Sequence, residues 1–135
     1  AEETARFGFT EVRLGLVPAV ISPYVVRKIG VSSARELFLT GERFTGTRAV
    51  EIGFAHRAVP KDQLHAAVQQ EIDAICLGGP IAVAECKKLV RRVTQLPRDE
   101  AFRETAEWSA RMFRSPEGAE GMAAFREKRK PSWVQ

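Results

Sequence analysis

Apolar positions along this chain follow two different rhythms, and the change comes near residue 60. Before it, aromatic and β-branched residues crowd into short runs punctuated by glycine and proline; after it, apolar residues recur three and four apart over long stretches. The run from Phe7 to Pro18, Phe-Gly-Phe-Thr-Glu-Val-Arg-Leu-Gly-Leu-Val-Pro, has aromatic and β-branched residues before Glu11 and Leu14, Leu16 and Val17 after it, and predicts a short buried strand followed by a loop. Ser22-Pro23 opens a helix, since serine can cap free N–H groups and proline tolerates the first helical position. Val25, Val26 and Ile29 give that helix an apolar face, and Gly30 stops it. Ser32 or Ser33 caps a second helix carrying Ala34, Leu37 and Phe38, which ends at Gly41. Thr45 caps a third, closed by Gly53, and Ala55 to Val59 reads as a second short strand stopped by Pro60.

From Lys61 onward the pattern is helical throughout. Leu64, Ala67, Val68, Ile72 and Ile75 follow one helical period, interrupted only by Glu71, and Gly78-Gly79-Pro80 ends that helix and starts the next. Ile81, Ala84, Leu89 and Val93 lie on or near one face of the next helix. Pro97 opens another with Phe102, Ala106, Met112 and Phe113 inward, and Ser115-Pro116 opens the last. The division of labour expected is therefore a mixed segment over residues 1–60 and a helical one over 61–135. Two short strands are too few for a self-sufficient sheet. The chain also begins with Ala1 rather than Met and reaches a strand within a few residues, so it reads as a segment of something longer.

Composition narrows the class. The 135 residues are 44% hydrophobic and 28% charged, ordinary for a domain with one core. No apolar run approaches the roughly 20 residues of a membrane span, and Ala-Glu-Glu-Thr is no signal-peptide start, so a cytoplasmic protein without membrane attachment is expected. Cys76 and Cys86 lack CxxC or Cys/His spacing and read as two small buried thiols rather than a disulfide or a metal site. His56 and His65 have no partner at ligand spacing and are assigned no role.

Charge is placed unevenly. Residues 85–135 hold 12 Lys/Arg against 8 Asp/Glu, so the whole formal net charge of +4 resides there. The basic clusters are Lys87-Lys88 with Arg91-Arg92, and Arg126 with Lys128-Arg129-Lys130. Such clusters fit first of all solvated helix faces with local acid partners, and beside that an anion site for the phosphates of a nucleotide or nucleic acid.

The one stretch that carries chemistry is the first. Glu11 is a lone carboxylate in an apolar, glycine-punctuated run, where partial desolvation would raise its pKa and suit it to proton transfer. A structural pairing with Arg13, or a cap on a neighbouring turn, fits the same residues.

Resemblance separates these readings. The run from Phe7 to Pro18 resembles the second catalytic-glutamate segment of the crotonase (enoyl-CoA hydratase/isomerase) superfamily. Leu39-Thr-Gly41 with Arg43, Ala49-Val-Glu-Ile-Gly53, and Glu120-Gly-Met-Ala-Ala-Phe125-Arg-Glu-Lys128-Arg-Lys130 follow in that family's order. The resemblance covers essentially the whole chain and matches the C-terminal half of a complete member. It implies an α/β crotonase-like fold in the whole protein, of which this chain is the mostly α-helical part with two short strands. It further implies that Glu11 is one of two glutamates that hold a water for addition to an enoyl-CoA thioester, while backbone N–H groups stabilise the thioester oxyanion. The second glutamate and those donors lie in the family's N-terminal half, so the chain alone is expected to be inactive. Coenzyme A enters as part of the substrate, with no separate cofactor.

By the same resemblance Ala19, Phe125 and Lys128 are the substrate and CoA contacts, with Phe125 and Lys128 reaching the acyl-CoA site of an adjacent subunit in a trimer or dimer of trimers. The family's glycine-rich turn after the proline is here Ala19-Val20-Ile21-Ser22-Pro23, which weakens the expectation of a backbone contact at Ala19. That sequence resembles the branch acting on branched dicarboxylic esters such as methylglutaconyl-CoA. The contrasting class is a noncatalytic helical module whose basic C-terminal face binds a protein partner or RNA, a role Phe125 beside Lys128 makes the weaker one.

Overall fold

The computed structural model describes residues 1–134. Its backbone forms two compact units, Ala1–Val68 and Gln69–Gln135.

In the first unit, β1 (Phe7–Gly8) pairs antiparallel with β2 (Arg43–Phe44), Phe7 opposite Phe44 and Gly8 opposite Arg43. Two residues per strand make little ladder, so the strands serve to align rings. Phe9 meets Phe38 edge to face at 5.2 Å, Phe7 stacks on Phe44 at 5.7 Å, and Phe54 stands edge-on to Phe44 at 5.7 Å. Such pairs contribute about 0.5–1.5 kcal/mol each beyond their burial. Val25, Ile29, Ala34, Leu37 and Ala49 complete this core.

Helix α1 (Ser22–Thr40) supplies four of them and is two helices joined at Gly30, whose φ of 76° and ψ of 166° no helix interior adopts. The predicted pair of helices is therefore present, with Val25 and Ile29 buried before the break and Ala34 and Leu37 after it. Gly41 ends α1 in the left-handed region, its N–H donating to Leu37 O at 3.0 Å. The Thr45 hydroxyl caps α2 (Gly46–Glu51) by accepting from Arg48 N at 3.2 Å, as its position predicts. Gly46 lies under the amino-terminal segment, where a Cβ would collide with the Glu2 carbonyl.

Three expectations for this unit need correction. Glu11 begins a 3₁₀ turn, Glu11–Leu14, instead of lying on a strand or loop. Leu14, Leu16 and Val17 are 76%, 60% and 74% exposed, because that turn carries them away from the ring cluster. Ser22 does not cap α1; its hydroxyl donates to Ala19 O at 2.9 Å. The segment from Ala55 to Val59 is not a strand: Ala55 N bonds back to Ala49 O at 2.9 Å at the end of α2, and only Val59 pairs, in a parallel bridge with Glu2. The second strand is instead the dipeptide Arg43–Phe44, too short to show a period.

Helix α3 (Leu64–Cys76) crosses the boundary between the units, and the second unit holds α4 (Pro80–Val93), α5 (Arg98–Phe113) and α6 (Pro116–Glu127). Prolines at or beside each start and the Ser115 hydroxyl, which accepts from Gly118 N at 3.0 Å, set the helix beginnings where the sequence predicts. Arg92 on α4 grips Glu104 on α5 through two bonds of 2.7 and 2.8 Å, which holds the Glu104 carboxyl below its ordinary pKa.

Among the described residues only Gly79 and Ala124 of this unit are fully buried. The inward stripe of α5 is Ala101, Thr105, Trp108 and Met112, whereas Phe102 and Phe113, read as inward, are 63% and 65% exposed and Ala106 is exposed too. On α4, Leu89 and Val93 are half-buried, whereas Ile81 and Ala84, expected on or near the same face, are exposed. Cys76 and Cys86 are also exposed rather than buried, since α3 covers nothing beyond Ala67 and Cys86 falls beside the half-buried stripe of α4. No helix among the described residues is long and apolar enough to cross a membrane.

Candidate functional site

Glu11 stands directly after the strand that builds the ring cluster. Thr10 precedes the 3₁₀ turn, Gly15 closes it at φ 71°, and Leu16 N returns to Glu11 O at 3.0 Å. The glycine permits a left-handed closure that leaves the Glu11 side chain at the head of the turn. Its Oε2 is buried and has no hydrogen-bond partner among the described residues. Arg13 is not that partner. Its side chain lies over Gly41, where an added Cβ would stand 3.1 Å from Arg13 Cγ and Nε and 3.0 Å from Val12 Cγ1. Neither an ion pair with Arg13 nor a cap engages Oε2. A buried polar oxygen left unpaired costs about 1–3 kcal/mol, so native proteins keep few of them, and those kept call for a role.

Ala19 follows eight residues later on the same unit, after the buried ring of Pro18. Its N–H donates to Val17 O at 2.8 Å, closing a tight turn, and Ser22 N donates to Pro18 O at 3.0 Å. The Ala19 amide is thus engaged in the chain's own turn. Around it Leu16, Val17, Val20 and Tyr24 form an exposed apolar strip.

The other two residues belong to the second unit. Phe125 on the last turn of α6 is 86% exposed, an unusual position for a bare aromatic ring. With Arg126, Met122, Gly121 and Ala119 it lines an open groove of about 550 Å³. Lys128 ends the helix and is the one non-glycine among the described residues with positive φ, at 52°. Lys128 N donates to Phe125 O at 3.3 Å and Arg129 N to Ala124 O at 3.0 Å, the paired closure that glycine normally supplies. Lysine there carries backbone strain, and such strain gathers at ligand contacts.

Beyond the turn, the chain folds back along α6. Arg129 donates to both Glu120 oxygens at 2.7 and 2.9 Å and to Glu127 at 2.7 Å, and Ser132 N donates to Glu120 at 2.8 Å. Arg129, with help from the Ser132 amide, pulls the Glu120 carboxyl down to about 2. Trp133 closes over Gly121 and donates its indole N–H to Leu77 O at 3.2 Å. Glu120, Arg129 and Trp133 escape a reading based on helical period, because their partners are set by a tail that reverses direction. The only available signal was the density of Glu, Lys and Arg around a helix end.

The family model for enoyl-CoA hydratase/isomerase matches residues 1–135. An enoyl-CoA hydratase of Mycobacterium tuberculosis is 34% identical over 98% of this chain and 50% of its own length. A probable mitochondrial enoyl-CoA hydratase of Dictyostelium discoideum is 35% identical over 98% of the chain and 48% of its own. Among solved structures, an enoyl-CoA hydratase/isomerase from Marinobacter aquaeolei superimposes with a TM-score of 0.94 at 40% identity, covering all of this chain and 52% of that one. AtuE of Pseudomonas aeruginosa gives 0.95 at 35% identity, over all of this chain and 53% of its own. The chain therefore spans about half the length of the curated relatives it matches. Coverage of the whole chain at these identities, with the same fold, establishes that it belongs to the enoyl-CoA hydratase/isomerase family.

Proposed function

We propose that the polypeptide carrying this chain is an acyl-CoA hydratase, a lyase that adds water across the double bond of an α,β-unsaturated CoA thioester. Glu11 acts as one of two acid/base glutamates, and the chain supplies the C-terminal half of the crotonase fold. The observation that carries this reading is the buried Oε2 of Glu11, a carboxylate oxygen hydrogen-bonded by no other described residue. Two carboxylates sharing a water can divide acid and base roles when their surroundings separate their protonation. The second glutamate and the oxyanion donors belong to the other half of the protein, so the segment by itself is inactive.

In this assignment residues 1–60 contribute the Glu11 part of the catalytic core, and residues 61–135 assemble subunits and cover coenzyme A. Phe125 and Lys128, with Arg126 beside them, meet the nucleotide end of a substrate held mainly by a neighbouring subunit of a trimer or dimer of trimers. The bare ring of Phe125, the exposed faces of α3 to α5 and the strained Lys128 all support an assembled state. Ala19 lines the substrate through its exposed turn, its N–H already being used within the chain. A branched dicarboxylic enoyl-CoA of the methylglutaconyl type is the substrate favoured by the Ala19–Pro23 sequence.

The test is Glu11→Gln in the full-length protein. Folding and thioester binding stay nearly intact while hydration of crotonyl-CoA or methylglutaconyl-CoA falls by roughly 10² to 10⁴, the usual size of a general acid/base contribution. Turnover at the wild-type rate would remove Glu11 from the mechanism.

A further inference from the structure

Lys128 occupies a conformation that lysine does not favour, and something must hold it there. The structure places the restraint on both sides of it. Arg129, the next residue, spends all three of its donor groups around the turn: Nη1 and Nη2 on the two oxygens of Glu120, nine residues earlier on α6, and Nε on Glu127, the residue before Lys128. One guanidinium thus joins the residues flanking Lys128 to the body of the helix. Glu120 also accepts from Ser132 N at 2.8 Å, so the same carboxylate fixes the chain four residues beyond Lys128. Trp133 completes the closure, its ring against Gly121 and its indole N–H on Leu77 O. A planar fork with this many fixed bonds is a task for arginine, because an ammonium offers no rigid bidentate geometry.

We propose that Glu120 and Arg129 form a clasp whose function is to position Lys128 and Phe125 for the anionic end of the CoA thioester, so that Glu120, an acid beside an anion site, promotes binding. This rests on the proposed contact of Lys128 with coenzyme A and adds two positioning residues to it. Neither Glu120 nor Arg129 touches the substrate in this account. Their effect passes through the backbone of the turn.

The sign of one substitution separates the clasp from simple electrostatics. Removing the negative charge of Glu120 near a phosphate would strengthen phosphate binding by Coulomb attraction alone. The clasp requires the opposite. In the full-length protein, Glu120→Ala raises KM for crotonyl-CoA by about fivefold or more, leaves kcat within about twofold, and leaves KM for crotonyl-pantetheine unchanged. Arg129→Lys gives the same pattern although it keeps the charge. Hydrogen exchange read by mass spectrometry should show the amides of Arg129 and Ser132 losing protection in both variants, with the rest of α6 unaffected.

An unchanged or lowered KM for crotonyl-CoA in these variants overturns the clasp, as does retained protection of both amides. Lys128→Glu, measured in parallel, tests the underlying contact. If it raises KM for the CoA ester while Glu120→Ala does not, the clasp fails and the contact stands; if it changes nothing, both fail. Should Glu120→Ala not fold, Arg129→Lys and Glu120→Gln carry the same comparison.

Discussion

Glu117, on the first turn of α6, caps a different helix: its carboxylate accepts from Ala82 N at 2.7 Å and from Ile81 N at 3.0 Å, the free amides at the start of α4. Pro80 has no N–H to offer, so the two amides that most need an acceptor receive one side chain. The carboxylate reaches them across Gly79, where a Cβ would collide with Glu117 Oε1. Gly79 is thus required by its neighbour and not by its own backbone angles, which lie in the ordinary extended region at φ −59° and ψ 133°.

Glu117→Ala should therefore destabilise the second unit by about 1–2 kcal/mol, the size of a lost helix cap with its charge at a helix N-terminus. Gly79→Ala should lose a similar amount, because the new methyl displaces the cap. In the Glu117→Ala background, Gly79→Ala should become neutral or mildly stabilising, since nothing remains to displace. Chemical denaturation of the four proteins measures this, and additive losses would show that Gly79 and Glu117 act independently.

The Glu120 carboxyl provides a pH prediction. Arg129 and the Ser132 amide lower it from 4.5 to about 2 in the folded chain. A depressed acid contributes stability above its unfolded pKa and loses it as pH falls through its folded one. The tail over residues 129–133 should thus stay closed at pH 5, loosen progressively between about pH 4.5 and 2, and open with protonation of Glu120. Amide exchange of Ser132 across that range reports the opening. With the Glu120 side chain 26% and that of Arg129 42% exposed, the effect should weaken in high salt. A tail that opens at the same pH in Glu120→Gln would assign the transition to another acid.

Much of this architecture was readable in advance, and the failures share a cause. Thr45, Gly30, Gly41, Pro97 and Ser115 announced helix ends correctly, because caps and breaks depend on local backbone chemistry that a residue type states directly. Glu11 stands out in the sequence as a lone acid in an apolar run, and its Oε2 is buried without a hydrogen-bond partner among the described residues. Helix faces were not legible. Phe102 and Phe113 are apolar and fall on the face that the spacing turns inward, yet each is exposed on this chain. A periodicity identifies a face that prefers burial without naming what buries it, and here the half-buried stripe of α5 passes through Thr105 and Trp108 instead. Strand placement failed at Ala55–Val59 because pairing is decided by a partner distant in sequence, as the Glu2 bridge to Val59 shows.

The last prediction separates what Lys128 does for stability from what it does for binding. At φ 52° any side chain bearing a Cβ is strained, by about 1 kcal/mol relative to glycine. Lys128→Gly should accordingly be more stable than Lys128→Ala by about 1 kcal/mol, a rise of roughly 4–8 °C in Tm for a unit of this size, with Lys128→Asn between them. All three substitutions remove the ammonium, so all three should raise KM for a CoA thioester to the same extent and leave a pantetheine thioester alone. Calorimetry of the three variants beside steady-state kinetics on the two substrates resolves the two effects. Stabilisation by glycine combined with loss of CoA affinity would mean that the turn keeps a strained lysine because its charge is needed there, stability being given up at a binding site. Stabilisation with no change in KM would leave the strain unexplained by coenzyme A and remove Lys128 from the site.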